Sequence, residues 1–383
     1  MPIYLDNAAT SFPKPEDVYR ATDEAMRTMG GNPGRGGHSL TLDASRLVLE
    51  AREAVAEMFG IPDAARVAFM ANATEAINTA LFGILRPGDR VVTTSMEHNA
   101  VTRPLRALED RGVEVVKVPA DETGYVPAGE IRAACTEKTR MVVVNHCSNV
   151  TGTLQPIDEI GPWCRRNGIL FFVDAAQSAG LFEIDVEDQS IDLLAAPGHK
   201  SLLGPQGTGF LYVRDGIQIT PLVYGGTGGN SHSELPPDQM PERLESGTLN
   251  LPGLAGLAAA LDYIKSQELQ TIRNHERHLL EQLIAGLGEI PQVTLFGPTD
   301  SRRHGGALSF IIEERDPSEL GFLLDRDHGI CLRVGLHCAP DAHRTIGTFP
   351  RGTVRVSPGY FNGRDHIDHF LTAVAALATH PRK

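Results

Sequence analysis

Asp174 closes the run FFVDAAQSAG, and Lys200 stands 26 positions later in the glycine-rich stretch LAAPGHKSLLGPQGTGFLYV. A carboxylate and a lysine delivered to one crevice at the carboxyl ends of sheet strands are the pair that pyridoxal 5'-phosphate requires. The lysine would bond to the cofactor, and the carboxylate would keep the pyridine nitrogen protonated so that the ring accepts electrons. Taken singly, Asp174 also reads as a strand-end cap and Lys200 as a solvated surface lysine. GHKS is not a Walker loop, because His199 rather than a glycine precedes the lysine.

A phosphate group needs donors, and MANATEAINTAL offers a strand end followed by Ala73 and Thr74 opening a helix. Backbone N–H groups and the helix dipole bind anions there, and the Thr74 hydroxyl adds a donor. Simple N-capping by Thr74 is an equally good reading, and the two are compatible. His98 in TTSMEHNAV follows another strand, where an imidazole would stack on the ring and exchange protons, or lie as an ordinary exposed loop histidine. Asn149 in NHCSNVTGT is placed by the same logic.

Cys338 in RVGLHCAP sits in an apolar-poor segment beyond the strand GICLRV. Its thiolate is the attacking form, and Arg333 and His337 stand near enough in sequence to lower its pKa or assist proton transfer. The other cysteines read as inert: Cys331 inside an apolar strand, Cys164 on a helix, Cys135 near a helix end. Cys147, two residues before Asn149, is placed to approach the pocket. Five cysteines without a CxxC pair do not make a disulfide framework, and without HExxH no metal site is expected despite 14 histidines.

These residues need a scaffold that brings them together. RVAFM, RVVTTS, VEVVKV, RMVVVNH, GILFFVD and TGFLYV alternate with amphipathic stretches, the βαβ rhythm of a mostly parallel sheet covered on both faces. Ahead of them Pro15 to Met29 and Ser39 to Phe59 read as helices; Gly225 to Glu242 reads as a long loop. A long helical stretch from LPGLAG to AGLG then leads into a smaller unit with ALSFII, GICLRVG and TVRVS as strands. With 383 residues, several cores are expected, divided as an N-terminal segment 1–14, a large cofactor-binding domain 15–255 and a small C-terminal α/β domain 256–383. The charge of −13, from 35 basic and 48 acidic residues, argues against non-specific attraction to nucleic acid or anionic membranes. No apolar stretch is long enough to span a bilayer and the start lacks a signal-peptide pattern, so a cytoplasmic location is expected.

YLDNAATS, NATEAIN, EHNA, HCSNVTG, VDAAQSAG, GHKSLLGPQGTGFLYV, ESGTLN and RVGLHCAP occur in this order over nearly the whole chain. Together they resemble the class V aminotransferase-like enzymes, specifically the cysteine desulfurases and selenocysteine lyases. The resemblance implies fold type I of the pyridoxal phosphate enzymes, with a mostly parallel seven-stranded sheet, and conversion of L-cysteine to L-alanine with sulfur left on Cys338 as a persulfide. It implies that Lys200 carries the cofactor and moves the substrate α-proton, that Asp174 pairs with the pyridine nitrogen, Gln177 with the phenolic oxygen, and that His98 stacks on the ring. Ala73, Thr74 and His199 would hold the phosphate, and Thr248 would reach a phosphate across a homodimer interface. Asn149 and Arg355 would grip the substrate carboxylate, with His38 and Arg333 as further substrate contacts. Two positions depart from the pattern: Pro197 stands where many relatives have a serine, so one phosphate contact is expected to be missing, and Leu336 replaces the first histidine of the second desulfurase group. A protein or small thiol would accept the sulfur. Selenocysteine lyase, aminotransferase or β-lyase chemistry on the same scaffold, and a cofactor-free binding partner are the alternatives.

Overall fold

Apolar β-branched runs punctuated by glycine-bearing turns build the sheet that carries the candidate residues. The computed structural model describes residues 2–34, 36–228 and 232–379. Its strands are β1 (Ile3–Tyr4), β2 (Val67–Met70), β3 (Arg90–Thr94), β4 (Glu114–Val118), β5 (Thr139–Asn145), β6 (Leu170–Asp174), β7 (Leu193–Pro197), β8 (Gly209–Val213), β9 (Val293–Phe296), β10 (Leu308–Ile312), β11 (Ile330–Cys331), β12 (Arg333–Gly335) and β13 (Thr353–Val356). The helices are α1 (Glu16–Thr28), α2 (Ser39–Met58), α3 (Ala73–Ile84), α4 (Asn99–Glu109), α5 (Ala128–Ala134), α6 (Ile157–Arg166), α7 (Leu251–Gln267), α8 (Leu269–Gly288), α9 (Pro317–His328), α10 (Pro340–Thr345) and α11 (Arg364–Thr379).

The large sheet has seven strands in the order β2-β8-β7-β6-β5-β3-β4. Strand β8 runs antiparallel to both neighbours, and the remaining pairings are parallel. The expected mostly parallel seven-stranded sheet is therefore present. Side-chain alternation along β6 sends Phe171 and Val173 into a core shared with α2 and α7, and Leu170 and Phe172 into one shared with α3 and α4. Asp174, two residues beyond Phe172, continues toward the α3–α4 side, where its strand runs out and the site begins. Asn145 lies directly beside it in register.

A second sheet, antiparallel with order β12-β13-β10-β9, packs against α8, α9 and α11 over Leu279, Leu283, Phe310, Leu324 and Phe370. GICLRVG, expected as one strand, divides: Cys331 pairs with Tyr4 of β1, whereas Arg333–Gly335 join β13. The expected single helical stretch breaks at Glu268, which has φ 61. The break has a packing reason. Leu254, Leu257 and Leu261 of α7 face the large core, whereas Leu279, Leu280 and Leu283 of α8 face the small one. The 255/256 position falls within α7, and β9 was not among the expected strands. The stretch Gly225 to Glu242 holds no helix or strand among its described residues, and positions 229–231 lie outside them. Among the described residues no helix is long and apolar enough to cross a membrane.

Candidate active site

The turn after β7 carries Lys200 and packs against the turn after β6. Both turns require glycine at the contact: a Cβ on Gly198 would lie 2.2 Å from the Thr208 hydroxyl, and one on Gly180 would lie 2.4 Å from the Ser201 carbonyl. Lys200 is half-buried as a residue, yet loss of water around its amine draws the pKa down to about 8. Arg355 and Arg333 push in the same direction, and Asp174 and Asp6 oppose them. Burial raises the Asp174 carboxyl, against a hydrogen bond from the Ala176 amide at 2.9 Å and the charge of Lys200.

Helix α3 begins at the cavity, and its N-cap is Asn72, whose Oδ1 accepts from the Glu75 amide at 2.9 Å. Thr74 is thus inside the first turn rather than the cap, which leaves its hydroxyl out of the capping role. His98 is itself the N-cap of α4, with Nδ1 accepting from the Ala100 amide at 3.0 Å. That bond places the proton on Nε2. Burial, reinforced by Lys200 and Arg333, lowers its pKa to about 4, so the ring is neutral at physiological pH. It is half-buried rather than an ordinary exposed loop histidine. Gln177 donates to the Ala8 carbonyl at 2.9 Å, and the His199 carbonyl accepts from Lys14 Nζ at 2.8 Å. Burial also draws the His199 ring down to about 4.

Ala73, Thr74, His98, Asn149, Asp174, Gln177, His199 and Lys200 all line one cavity of about 90 Å³. Pro197 lines it too, at the position where a serine hydroxyl is absent. The sequence reading missed Asn145, whose Oδ1 is buried in this wall without a hydrogen-bond partner, and Glu97 behind it. Glu97 is 1% exposed and accepts from the Asn145 amide and, at 2.6 Å, from the Thr94 hydroxyl; burial raises its pKa to about 8. The motif EHNA was visible, but nothing in it marked the glutamate as buried. Cys147 reaches the cavity wall as anticipated, and burial pushes its thiol up to about 12. All five cysteines are unpaired. Among the described residues no cluster could hold a metal ion. A wider groove of about 650 Å³ between α2 and the α7–α8 junction touches none of the candidate residues.

Arg355 enters from β13 and is 1% exposed. Its Nη1 donates to the Asn149 carbonyl at 3.1 Å and its Nη2 to Asp6 Oδ1 at 2.7 Å, while Nε has no partner. The Asn149 side chain donates to the His337 carbonyl at 2.6 Å, so the loop carrying Cys338 abuts the cavity. Cys338 is exposed, and Arg333 Nη2 lies 3.4 Å from its sulfur. His337 does not join them. It turns inward, 2% exposed, with Nε2 3.0 Å from the Thr353 hydroxyl. Burial, with Arg355 adding to it, lowers its pKa to about 2. The expectation that it assists the thiol is therefore corrected: it is neutral and faces the core. Four expected contacts, Arg355, Arg333, His38 and Thr248, are not among the residues that line the cavity. His38 is exposed at the start of α2 against Thr41, and Thr248 is exposed with its hydroxyl 3.4 Å from Asn32.

The cavity suits a ring bearing a phosphate. His199 Nδ1, Asn145 Oδ1 and Asn149 Oδ1 are buried without partners, and a 12-residue helix opens its N-terminus there. A lysine and an aspartate at the carboxyl ends of this sheet define fold type I of the pyridoxal phosphate enzymes. The chain belongs to the aminotransferase class-V family, which it matches over residues 3–370. It is 40% identical over 371 residues to a probable cysteine desulfurase of Methanothermobacter thermautotrophicus, covering 95% of this chain and 92% of that one. A probable cysteine desulfurase of Pyrococcus abyssi is 33% identical over 98% of this chain and 94% of its own. Among solved structures, the apo cysteine desulfurase of Thermococcus onnurineus superposes with TM-score 0.91 at 32% identity, covering 98% and 94%. A cysteine desulfurase of Escherichia coli in an S-sulfonic acid form gives 0.86 at 28%, covering 98% and 94%.

Proposed function

We propose that this chain is a cysteine desulfurase that uses pyridoxal 5'-phosphate, releasing L-alanine and leaving sulfur on Cys338. The observation that carries the reading is the Asn149 bridge: one side chain lines the Lys200–Asp174 cavity and holds the backbone of the cysteine loop. Ala73, Thr74 and His199 would hold the phosphate, Gln177 and Asp174 the ring, His98 one ring face, and Lys200 the covalent attachment. When bound, the cofactor supplies an electron sink conjugated to the substrate α-carbon.

Arg355 and Asn149 bind the substrate carboxylate, with Arg355 contributing the planar fork suited to it. Arg333 completes the rim, and His38 is a contact supplied by a neighbouring surface. Lys200, with its pKa near neutrality, takes the α-proton and returns a proton to the substrate carbon chain. Cys338 Sγ then bonds to the substrate sulfur as the Cβ–S bond breaks. Cysteine and a thiol become alanine and a persulfide with no added oxidant or reductant, and the persulfide passes to a protein or small-thiol acceptor. We also propose a homodimer, because Thr248 lies on the surface and Leu40, Leu42, Val223 and Tyr224 are exposed apolar side chains needing cover. A reducing, cytoplasmic setting fits the exposed thiol.

Purified protein given the cofactor, L-cysteine and reductant should yield alanine and sulfide in equal amounts, and Cys338→Ala should abolish both. Equal rates in parent and variant would overturn the mechanism. Retention of L-selenocysteine cleavage by that variant would add a selenocysteine lyase activity.

A further inference from the structure

Cys338 cannot choose its own position. His337 has φ 47 and Cys338 φ 59, and among the described residues they are the only two successive non-glycine residues in the left-handed region. Such backbone persists only when its surroundings hold it. Three bonds do so from three directions: the Asn149 side chain to the His337 carbonyl at 2.6 Å, the Asn99 amide to the Cys338 carbonyl at 2.8 Å, and the His337 ring to Thr353 at 3.0 Å. The first two grip carbonyls and tolerate any side chain. Only the third depends on the identity of residue 337.

That third bond is anchored in depth. The Thr353 hydroxyl donates to Ser309 at 3.0 Å, so it accepts from the imidazole, which therefore carries its proton on Nε2. The ring lies against His343 at 5.5 Å between centroids, and His343 Nδ1 is 2.7 Å from the Thr348 hydroxyl. Arg355 and Arg333 from the small sheet and His343 from α10 are the charged and titratable groups facing it. A hydroxyl network reaching β10 and β13 thus ends on the residue immediately before the nucleophile.

We propose that His337 is a positioning residue, an inward tether to Thr353 that holds the left-handed 337–338 backbone and so keeps the Cys338 sulfur against Arg333. The proposal rests on the desulfurase reading for its consequence but not for its geometry. If the tether is released, the Cys338 sulfur is free to leave the Arg333 guanidinium. The binding groups Arg355 and Asn149 stay in place.

The experiment measures the rate of iodoacetamide alkylation of Cys338 against pH, quantified on the peptide containing it, together with kcat and KM for L-cysteine. His337→Ala and Thr353→Val should each change the rate of alkylation at pH 7 by about fivefold to tenfold, as the sulfur leaves its fixed position. The same two variants should lower kcat by a similar factor with KM within about twofold, and His337→Gln, which retains an N–H donor, should recover most of both. Thr353→Val preserves shape and keeps the test available should His337→Ala fold poorly. An unchanged alkylation rate in Thr353→Val, or a His337→Gln variant as impaired as Thr353→Val, would overturn the proposal. Alkylation needs neither cofactor nor substrate, so an inactive parent protein would count against the desulfurase reading while the tether is still decided.

Discussion

Arg333 Nη2 and Cys338 Sγ lie 3.4 Å apart, and Arg333 is the one side chain hydrogen-bonded to that thiol among the described residues. Four residues separate them, and the reversal between them passes through Gly335 with φ 101. A guanidinium at this distance would pair with the anionic persulfide of the proposed reaction.

Arg333→Ala should therefore slow alanine formation at pH 7 about fivefold to tenfold, a modest factor because water screens an exposed pair. Raising the salt concentration should weaken the parent in the same direction while barely affecting the variant. Stopped-time assays of alanine at several pH values and ionic strengths check this. A profile identical to the parent's would remove Arg333 from the reaction.

Asp6 should govern substrate affinity through Arg355. Its carboxylate is 2.7 Å from Arg355 Nη2, and the arginine is almost completely buried. Asp6→Asn keeps the shape and loses the charge that orients the fork. KM for cysteine is expected to rise about tenfold with kcat within about twofold. A fall in kcat at constant KM would show instead that Asp6 acts on the chemical step.

Glu97 offers a test of protonation by substitution. Burial, with the nearby Asp174 charge adding to it, holds its pKa near 8, so at pH 7 it is mostly an uncharged acid accepting from the Asn145 amide and Thr94. Glu97→Gln should then cost less than about 1 kcal/mol, whereas Glu97→Leu, which strands both donors, should cost about 2–4 kcal/mol. Urea unfolding of the two variants decides it. A Gln variant as unstable as the Leu variant would mean that the carboxyl is ionised in the folded protein.

The stability of the fold should pass through a maximum with pH. Burial lowers His146, His304 and His343 from 6.5 to about 4. Between those values the unfolded chain binds protons that the folded one does not, so stability falls as pH drops from about 6.5 toward about 4. Glu97 and Glu276 run the other way. Raised by burial from 4.5 to about 8, they bind protons in the folded state and lose that contribution as pH climbs through about 8. Melting temperatures measured from pH 4 to 9 should trace a dome, with a shallower acid limb in His304→Gln. A monotonic curve would contradict the assignment.

The sheet and the cavity were legible because they rest on local signals. LFFVD is apolar on every residue and ends in a charge, and GHKS is flanked by glycines that only close packing explains. What could not be read was direction. His337 and Cys338 are adjacent, yet one side chain enters the core and the other faces solvent, and no periodicity governs residues in left-handed conformation. The helix break at Glu268 was equally silent. SQEL contains neither proline nor glycine, and the bend follows from which core each flank must reach. Glu97 escaped for a third reason: burial of an acid depends on three neighbouring strands rather than on its own segment.

Parallel pairing of β1 with β11 joins residues 327 positions apart, and the contact of Asp6 with Arg355 joins residues 349 positions apart. During synthesis the amino terminus emerges first and the last strand of the small sheet among the final segments. The Asp6–Arg355 pair therefore cannot form until the chain has been made through β13, long after Asp6 itself.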